Sequence, residues 1–359
     1  MKKYIFMAAV ASLAIVSCNK DEVKEVNAGR EIDFRTAVTR GAETTIQNLD
    51  EIYVTAYTES ETNYFTDVLF AENAGYFTSA VKYYWPTDGS NINFMAYAPS
   101  ASKLGVGDGS ATELTINKTE QTLVAYSPAA DVTAQEDVLV AKAVGSKADA
   151  TTGVELVFDH VLSQVEFKAY NNNDGYVMKV KGVKLANVAG TGDCNLADKT
   201  WSTAGYDKVT YEVTYDTPIT LTSEAVSVMK NLNDNAMLVP QAFAAWDNVN
   251  DATNEAAGAF VSVLVNITTK EGAMVYPKTV AGDYAWMATP LSADWKPGFK
   301  YVYNLDVSDG GLVEPDNDPD PDPAPSPGPG SGSSVLGGAI KIDGYIFGWD
   351  RYSSETVQM

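Results

Sequence analysis

The strongest constraint on this chain is a succession of short alternating apolar runs, broken by turn signals about every eight to twelve residues, with no helical period. A first set occupies residues 52–57, 64–70, 75–77, 83–86, 92–97, 114–116, 137–141 and 154–158. A second set occupies 164–170, 177–185, 209–215, 219–221, 237–239, 260–269, 274–276, 284–287 and 301–307. The clearest run is 260–269, in which Val261, Val263, Val265 and Ile267 share one face. Successive strand side chains point to opposite faces, so such runs are half-buried strands, and many in series build antiparallel sandwiches. The expected fold class is all-β, with two tandem antiparallel β-sandwich domains at residues 41–158 and 159–313. The small, polar stretch 145–153 lies just before the junction.

The two ends carry different signals. Met1-Lys2-Lys3, the thirteen mostly apolar residues 4–16 and the tetrapeptide Ile15-Val16-Ser17-Cys18 that closes them have the order of a secretory signal peptide, residues 1–17. The apolar stretch is too short to span a bilayer as a helix. The tetrapeptide resembles the lipobox of bacterial lipoproteins, which makes Cys18 the expected lipidation site. Cys194 then stands alone, and no intramolecular disulfide is available. Residues 18–40 read as a tether followed by a first strand, with Ile32, Phe34, Thr36 and Val38 at period two before Arg40-Gly41.

At the other end, residues 314–334 form a linker rich in proline and aspartate. At roughly 3.1 Å per residue, about twenty such residues reach some 60 Å. Behind it, in residues 335–359, lies one more alternating segment. Leu336, Gly338, Ile340, Ile342, Gly344 and Ile346 fall on one face, and Lys341, Asp343, Tyr345, Phe347 and Trp349 on the other. Such a strand is either the last strand of its own domain or one donated to another molecule, and the long spacer favours the second.

Few residues offer chemistry. His160 is the single histidine, so neither a zinc cluster nor a histidine-based triad is available, and a hydrogen bond to backbone at the domain junction is expected for it. Nothing near Cys194 would activate its thiol. Runs 105–109 and 190–192 are glycine-rich but lack the strand-to-helix context of a phosphate loop. Asp316, Asp318, Asp320 and Asp322 alternate without the glycine and glutamate of a calcium loop, which fits a solvated spacer. Asn117 and Asn266 sit in glycosylation sequons, which the bacterial lipobox discounts. No cofactor, metal or enzymatic activity is expected. The formal charge is −22, and −24 once Lys2 and Lys3 leave with the leader. That balance argues against nucleic acid and against a basic membrane-binding surface.

Several motifs together resemble the fimbrillin family, the lipoprotein pilins of type V pili. They are the lipobox at Cys18, Thr39-Arg40-Gly41, Tyr84-Trp85-Pro86 followed by residues 92–97, and Phe158-Asp159-His160 leading into 161–167. Met237-Leu238-Val239-Pro240-Gln241 and the run 295–307 from Trp295 complete them. The resemblance implies transthyretin-like sandwiches, export as an outer-membrane lipoprotein, and cleavage after an arginine. Arg40 is best placed for that cut, with Arg35 and Arg30 as poorer candidates. It also implies that the first strand leaves with the leader and that a neighbour's C-terminal strand fills the groove, docking through Leu336, Ile340, Ile342 and Ile346. Other pilin subunits would then be the partners, in a head-to-tail polymer at the cell surface. The long proline spacer departs from a plain shaft subunit. The alternative is a lipoprotein that stays on the outer membrane and binds a glycan or host ligand through Tyr83, Tyr84, Trp85 and Trp246. For those aromatics, packing in strands and core is the favoured reading.

Overall fold

The computed structural model describes residues 31–36, 49–60, 63–229, 235–247, 258–278, 283–315 and 332–348, together with the backbone of Val357–Gln358. Cys18, Arg30, Arg40, Trp349 and the four alternating aspartates lie outside the described residues. Among the described residues the chain is all-β, with several sheets, no α-helix and two short 3-10 turns at Val132–Ala134 and Lys147–Thr151. The 260–269 run is a strand over the expected residues, and Val261, Val263, Val265 and Ile267 are all fully buried.

The first half of the chain forms one eight-stranded sheet. Its order is Phe158–His160, Leu139–Gly145, Ile92–Ala98, Glu51–Tyr57, Phe65–Asn73, Tyr76–Thr78, Phe34–Thr36 and Val154–Leu156. The two end strands are consecutive in sequence, separated by Val157 alone, so the sheet curls back on itself as a near-barrel. Its interior is aromatic and aliphatic, built from Ile52, Val54, Phe70, Ile92, Phe94 and their neighbours. Gly145 makes this closure possible, since a Cβ there would stand 2.8 Å from both the Trp85 ring and Val154.

The second half packs two sheets across one shared core. One sheet runs Val226–Ser227, Ser163–Tyr170, Phe299–Asp306, Lys341–Gly348 and Val357–Gln358, with Ala236–Leu238 also on Ser163–Tyr170. The other runs Lys208–Thr220, Tyr176–Ala189, Phe260–Thr269, Ala285–Pro290, Gly311–Val313 and Ser334–Val335. Val165, Phe167, Tyr301 and Tyr303 of the first sheet meet Val180, Val263, Val265 and Met287 of the second. The pairing is not purely antiparallel, as alternation had suggested. Ser163–Tyr170 runs parallel to Phe299–Asp306, and Phe34–Thr36 runs parallel to Val154–Leu156.

A four-stranded sheet crosses between the halves. Glu113–Ile116 and Gln121–Tyr126 pair with Gly192–Asn195 and Thr200–Ser202, across the boundary expected at 158/159. It covers the outer face of the near-barrel through Met95, Tyr97, Leu123, Val140, Cys194 and Met237. Cys194 is 1% exposed, and burial pushes its thiol up to about 12. A protein carrying Cys194 as its single cysteine is therefore expected to resist thiol reagents until it unfolds. Native-state labelling at the rate of a free cysteine would contradict that placement.

Candidate functional site: the two terminal strands

The first strand is paired on both sides. Phe34 pairs antiparallel with Phe77 on one side and parallel with Val154 on the other. The Ile32 amide donates to the Tyr83 carbonyl at 2.8 Å, and the Val154 amide donates to the Asp33 carbonyl at 2.9 Å. Alternation sends Ile32 and Phe34 inward, and both are 0% exposed. The Phe34 ring meets Phe70 edge-on at 4.8 Å and Phe94 at 5.0 Å. Fully burying two such side chains contributes about 3–6 kcal/mol. Outward-facing Arg35 reaches Glu155 at 2.6 Å, a half-exposed pair that adds little. Taking this segment away would open a groove between Tyr76–Thr78 and Val154–Leu156, with two vacant apolar sockets. Phe34→Leu keeps most of the volume and loses the ring contacts, so it is expected to destabilise the uncleaved protein by about 1 kcal/mol, read as a lowered melting temperature.

The C-terminal strand departs from the expectation of a segment with no sheet of its own. Lys341–Gly348 lies antiparallel beside Phe299–Asp306 in eight residue pairs, from Phe299↔Gly348 to Asp306↔Lys341. From Ile340 onward the faces follow the alternation, whereas Leu336 and Gly338 lie in a turn before the strand. Ile340 is buried, and Leu336, Ile342 and Ile346 pack half-buried on the core of the same chain, while Lys341, Asp343 and Phe347 are exposed. A Cβ on Gly311 would lie 2.9 Å from Ile340, so that glycine leaves room for the isoleucine.

The two flanks of the spacer meet, since Gly311–Val313 pairs antiparallel with Ser334–Val335. The Val313 amide donates to the Ser333 carbonyl at 2.8 Å, and the Gly332 amide donates to the Val313 carbonyl at 2.7 Å. Alternation marked the strands but carried no information on which distant edge each one meets. Glu314, assigned by composition to the solvated spacer, is fully buried, 2.7 Å from the equally buried Lys184.

Of the remaining candidates, Tyr84 is 42% exposed and Tyr83 is half-buried against Phe65, while the others are held within the fold. His160 Nδ1 lies 2.5 Å from Asp137 Oδ2, a carboxylate partner where backbone had been expected. Trp85 packs edge-on against Phe94 and Trp246 packs tilted against Phe260, with 5% and 2% exposure, so neither offers a stacking platform to a ligand. Asn117 accepts three bonds that cap its own turn, and Asn266 donates to the Asp283 carbonyl from a buried position. No group of three or more metal-binding side chains occurs among the described residues.

The fold therefore defines an all-β protein whose first and C-terminal strands are both held in sheets of the same chain. Its sequence matches the Fimbrillin-like family over residues 39–317, and the chain belongs to that family. The fold is similar to that of a fimbrial protein from Bacteroides vulgatus, with TM-score 0.59 and 14% identity, covering 89% of this chain and 99% of that one. A fimbrial assembly protein from Parabacteroides distasonis also aligns, with TM-score 0.41 and 10% identity over 92% of this chain and 99% of that one. No curated protein sequence matches significantly.

Proposed function

We propose that this protein is a structural subunit of a bacterial surface fimbria, built from two transthyretin-like units and assembled by strand exchange. It is exported as an outer-membrane lipoprotein through Cys18, cut after Arg40, and freed of residues up to the cut. A second copy, or another fimbrial subunit, then supplies its C-terminal strand to the opened groove. Membership in the Fimbrillin-like family supports the surface location and the subunit partners. The observation that carries the reading is the first strand, a short two-sided closure whose Ile32 and Phe34 are completely enclosed.

Burial gives the exchange a direction. On its own sheet the C-terminal strand leaves Ile342 and Ile346 half-exposed, whereas the groove encloses what it holds. Each aliphatic side chain that goes from exposed to fully buried contributes about 1.5–3 kcal/mol. An emptied groove also presents open backbone donors and acceptors, which a strand satisfies. Because acceptor and donor lie on different surfaces, the contact is head-to-tail and propagates.

The N-terminus of surface-sheared material tests the scheme. Mature chains that begin at Gly41 support assembly after cleavage. Chains that retain a lipidated Cys18 in full-length filaments would overturn it and favour a permanently anchored lipoprotein.

A further inference from the structure

Strand exchange, on which the following inference rests, requires the C-terminal arm to leave its own sheet somewhere along its length. The arm is held in two separate pieces, on opposite sheets of the second half. Ser334–Val335 extends one sheet beside Gly311–Val313, and Lys341–Gly348 extends the other beside Phe299–Asp306. Between the two pieces the backbone makes an unusual turn. Leu336 has φ +62° and Gly337 has φ +91°. A leucine in the left-handed region is disfavoured by its own Cβ, so the flanking pairings hold it there. Glycines line the seat of the turn. A Cβ on Gly310 would stand 1.8 Å from the Val335 carbonyl oxygen, and one on Gly338 would stand 2.5 Å from the Asp309 carbonyl oxygen.

The two pieces differ in how they are held. On the body side Val313, Glu314 and Val335 are buried, and Glu314 is tied to Lys184 at 2.7 Å and accepts from Ser262 Oγ at 3.0 Å. On the far side, beyond Ile340, the strand is half-exposed, with Phe299–Asp306 on one edge and only the short Val357–Gln358 on the other. Withdrawing the arm from upstream of residue 332 would strip cover from Val313 and disturb the buried ion pair. Withdrawing it from residue 339 onward uncovers the edge of Phe299–Asp306 and the seat of Ile340.

We propose that residues 336–338 are the hinge of strand donation, and that Gly311–Glu314 with residues 332–335 form a fixed root that stays on the donor. The donated strand then begins a few residues from the body of its own subunit. The length of the proline-rich spacer then does not set the distance between subunits. A filament built this way holds its subunits at close, fixed spacing, not on long tethers.

Two disulfide staples decide between hinge and tether. Leu312→Cys with Ser334→Cys bridges a residue pair of the root, and Asn304→Cys with Asp343→Cys bridges a pair of the departing strand. Val302→Cys with Tyr345→Cys serves as a second strand staple should the first variant fold poorly. Cys194, buried and poorly ionised, does not compete for either bridge. The full-length variants are assembled in exporting cells, the disulfides are verified by mass, and high-mass ladders are scored with and without reductant. The root staple is expected to leave the ladders unchanged, and the strand staple to abolish them until reductant is added. If the root staple also blocks assembly, the arm swings from upstream and the hinge assignment fails while strand exchange stands. If neither staple blocks assembly, residues 341–348 do not leave their sheet, and strand exchange fails together with the hinge.

Discussion

Glu314→Ala is expected to destabilise the protein by about 3–5 kcal/mol, because it leaves a fully buried ammonium without its carboxylate. Lys184 and Glu314 are both 0% exposed, with Nζ and Oε1 2.7 Å apart. The Lys184 ammonium also stands 4.6 Å from the centre of the Trp286 ring, and Ser262 donates to the same Glu314 oxygen. Taking a charge out of water costs several kcal/mol, and here the partner and the dipoles around it offset that cost. The loss therefore measures the stranded charge and not the worth of the pair. The double variant Lys184→Met with Glu314→Leu removes both charges and should recover most of the stability, since apolar replacements of a buried pair are often neutral. Urea unfolding of the full chain reads both variants. A Glu314→Ala midpoint equal to that of the unmodified protein would show that water reaches the pair.

That glutamate also marks where sequence reading stops. Residues 314–334 have the composition of a solvated linker, and composition averages over neighbours. Glu314 is a core residue because Gly311–Val313, just before it, is a strand of the second half, and its burial depends on Lys184 about 130 positions earlier. Local pattern did identify the strands whose partners do not matter to their signature. Residues 260–269 alternate cleanly and are a central strand, and 92–97 and 164–170 fall within one residue of the observed Ile92–Ala98 and Ser163–Tyr170. Gln121–Tyr126, Gly192–Asn195 and Thr200–Ser202 carry no clear alternating signature. They are short, glycine- or threonine-bearing, and stabilised by pairing across the chain's two halves, which period-two counting does not detect.

The same limit applies to the C-terminal strand. Its inward face was legible at Ile340, Ile342 and Ile346, because side-chain alternation is a local property. Its partner was not legible, because an apolar face fits any open edge of suitable register. The proposed strand exchange would exploit this ambiguity. A segment whose sequence specifies a face but not a unique edge can close its own sheet before assembly and a neighbour's groove afterwards.

Arg40→Ala is expected to abolish assembly while leaving the precursor folded, whereas Arg35→Ala should assemble normally. The first strand distinguishes the two arginines. Arg35 lies within Phe34–Thr36, whose backbone is paired with strands on both sides, and its side chain is engaged by Glu155. A protease needs an extended, unpaired segment in its cleft, and a strand inside a sheet does not offer one. A cut at Arg35 would also leave Thr36, paired with Leu156, on the body. A cut after Arg40 falls beyond the strand and releases Ile32 and Phe34 together. Without that cut the first strand is held in place intramolecularly, at an effective concentration that an incoming strand must outcompete. Arg35→Ala removes one half-exposed ion pair, worth at most about 1 kcal/mol, and so should if anything ease departure of the strand. Ladders on denaturing gels of unboiled cell-surface material read the result for both variants. Ladders from Arg40→Ala at the level of the unmodified protein, in cells where no other bond between residues 20 and 40 is cut, would show that assembly does not wait for release of the first strand.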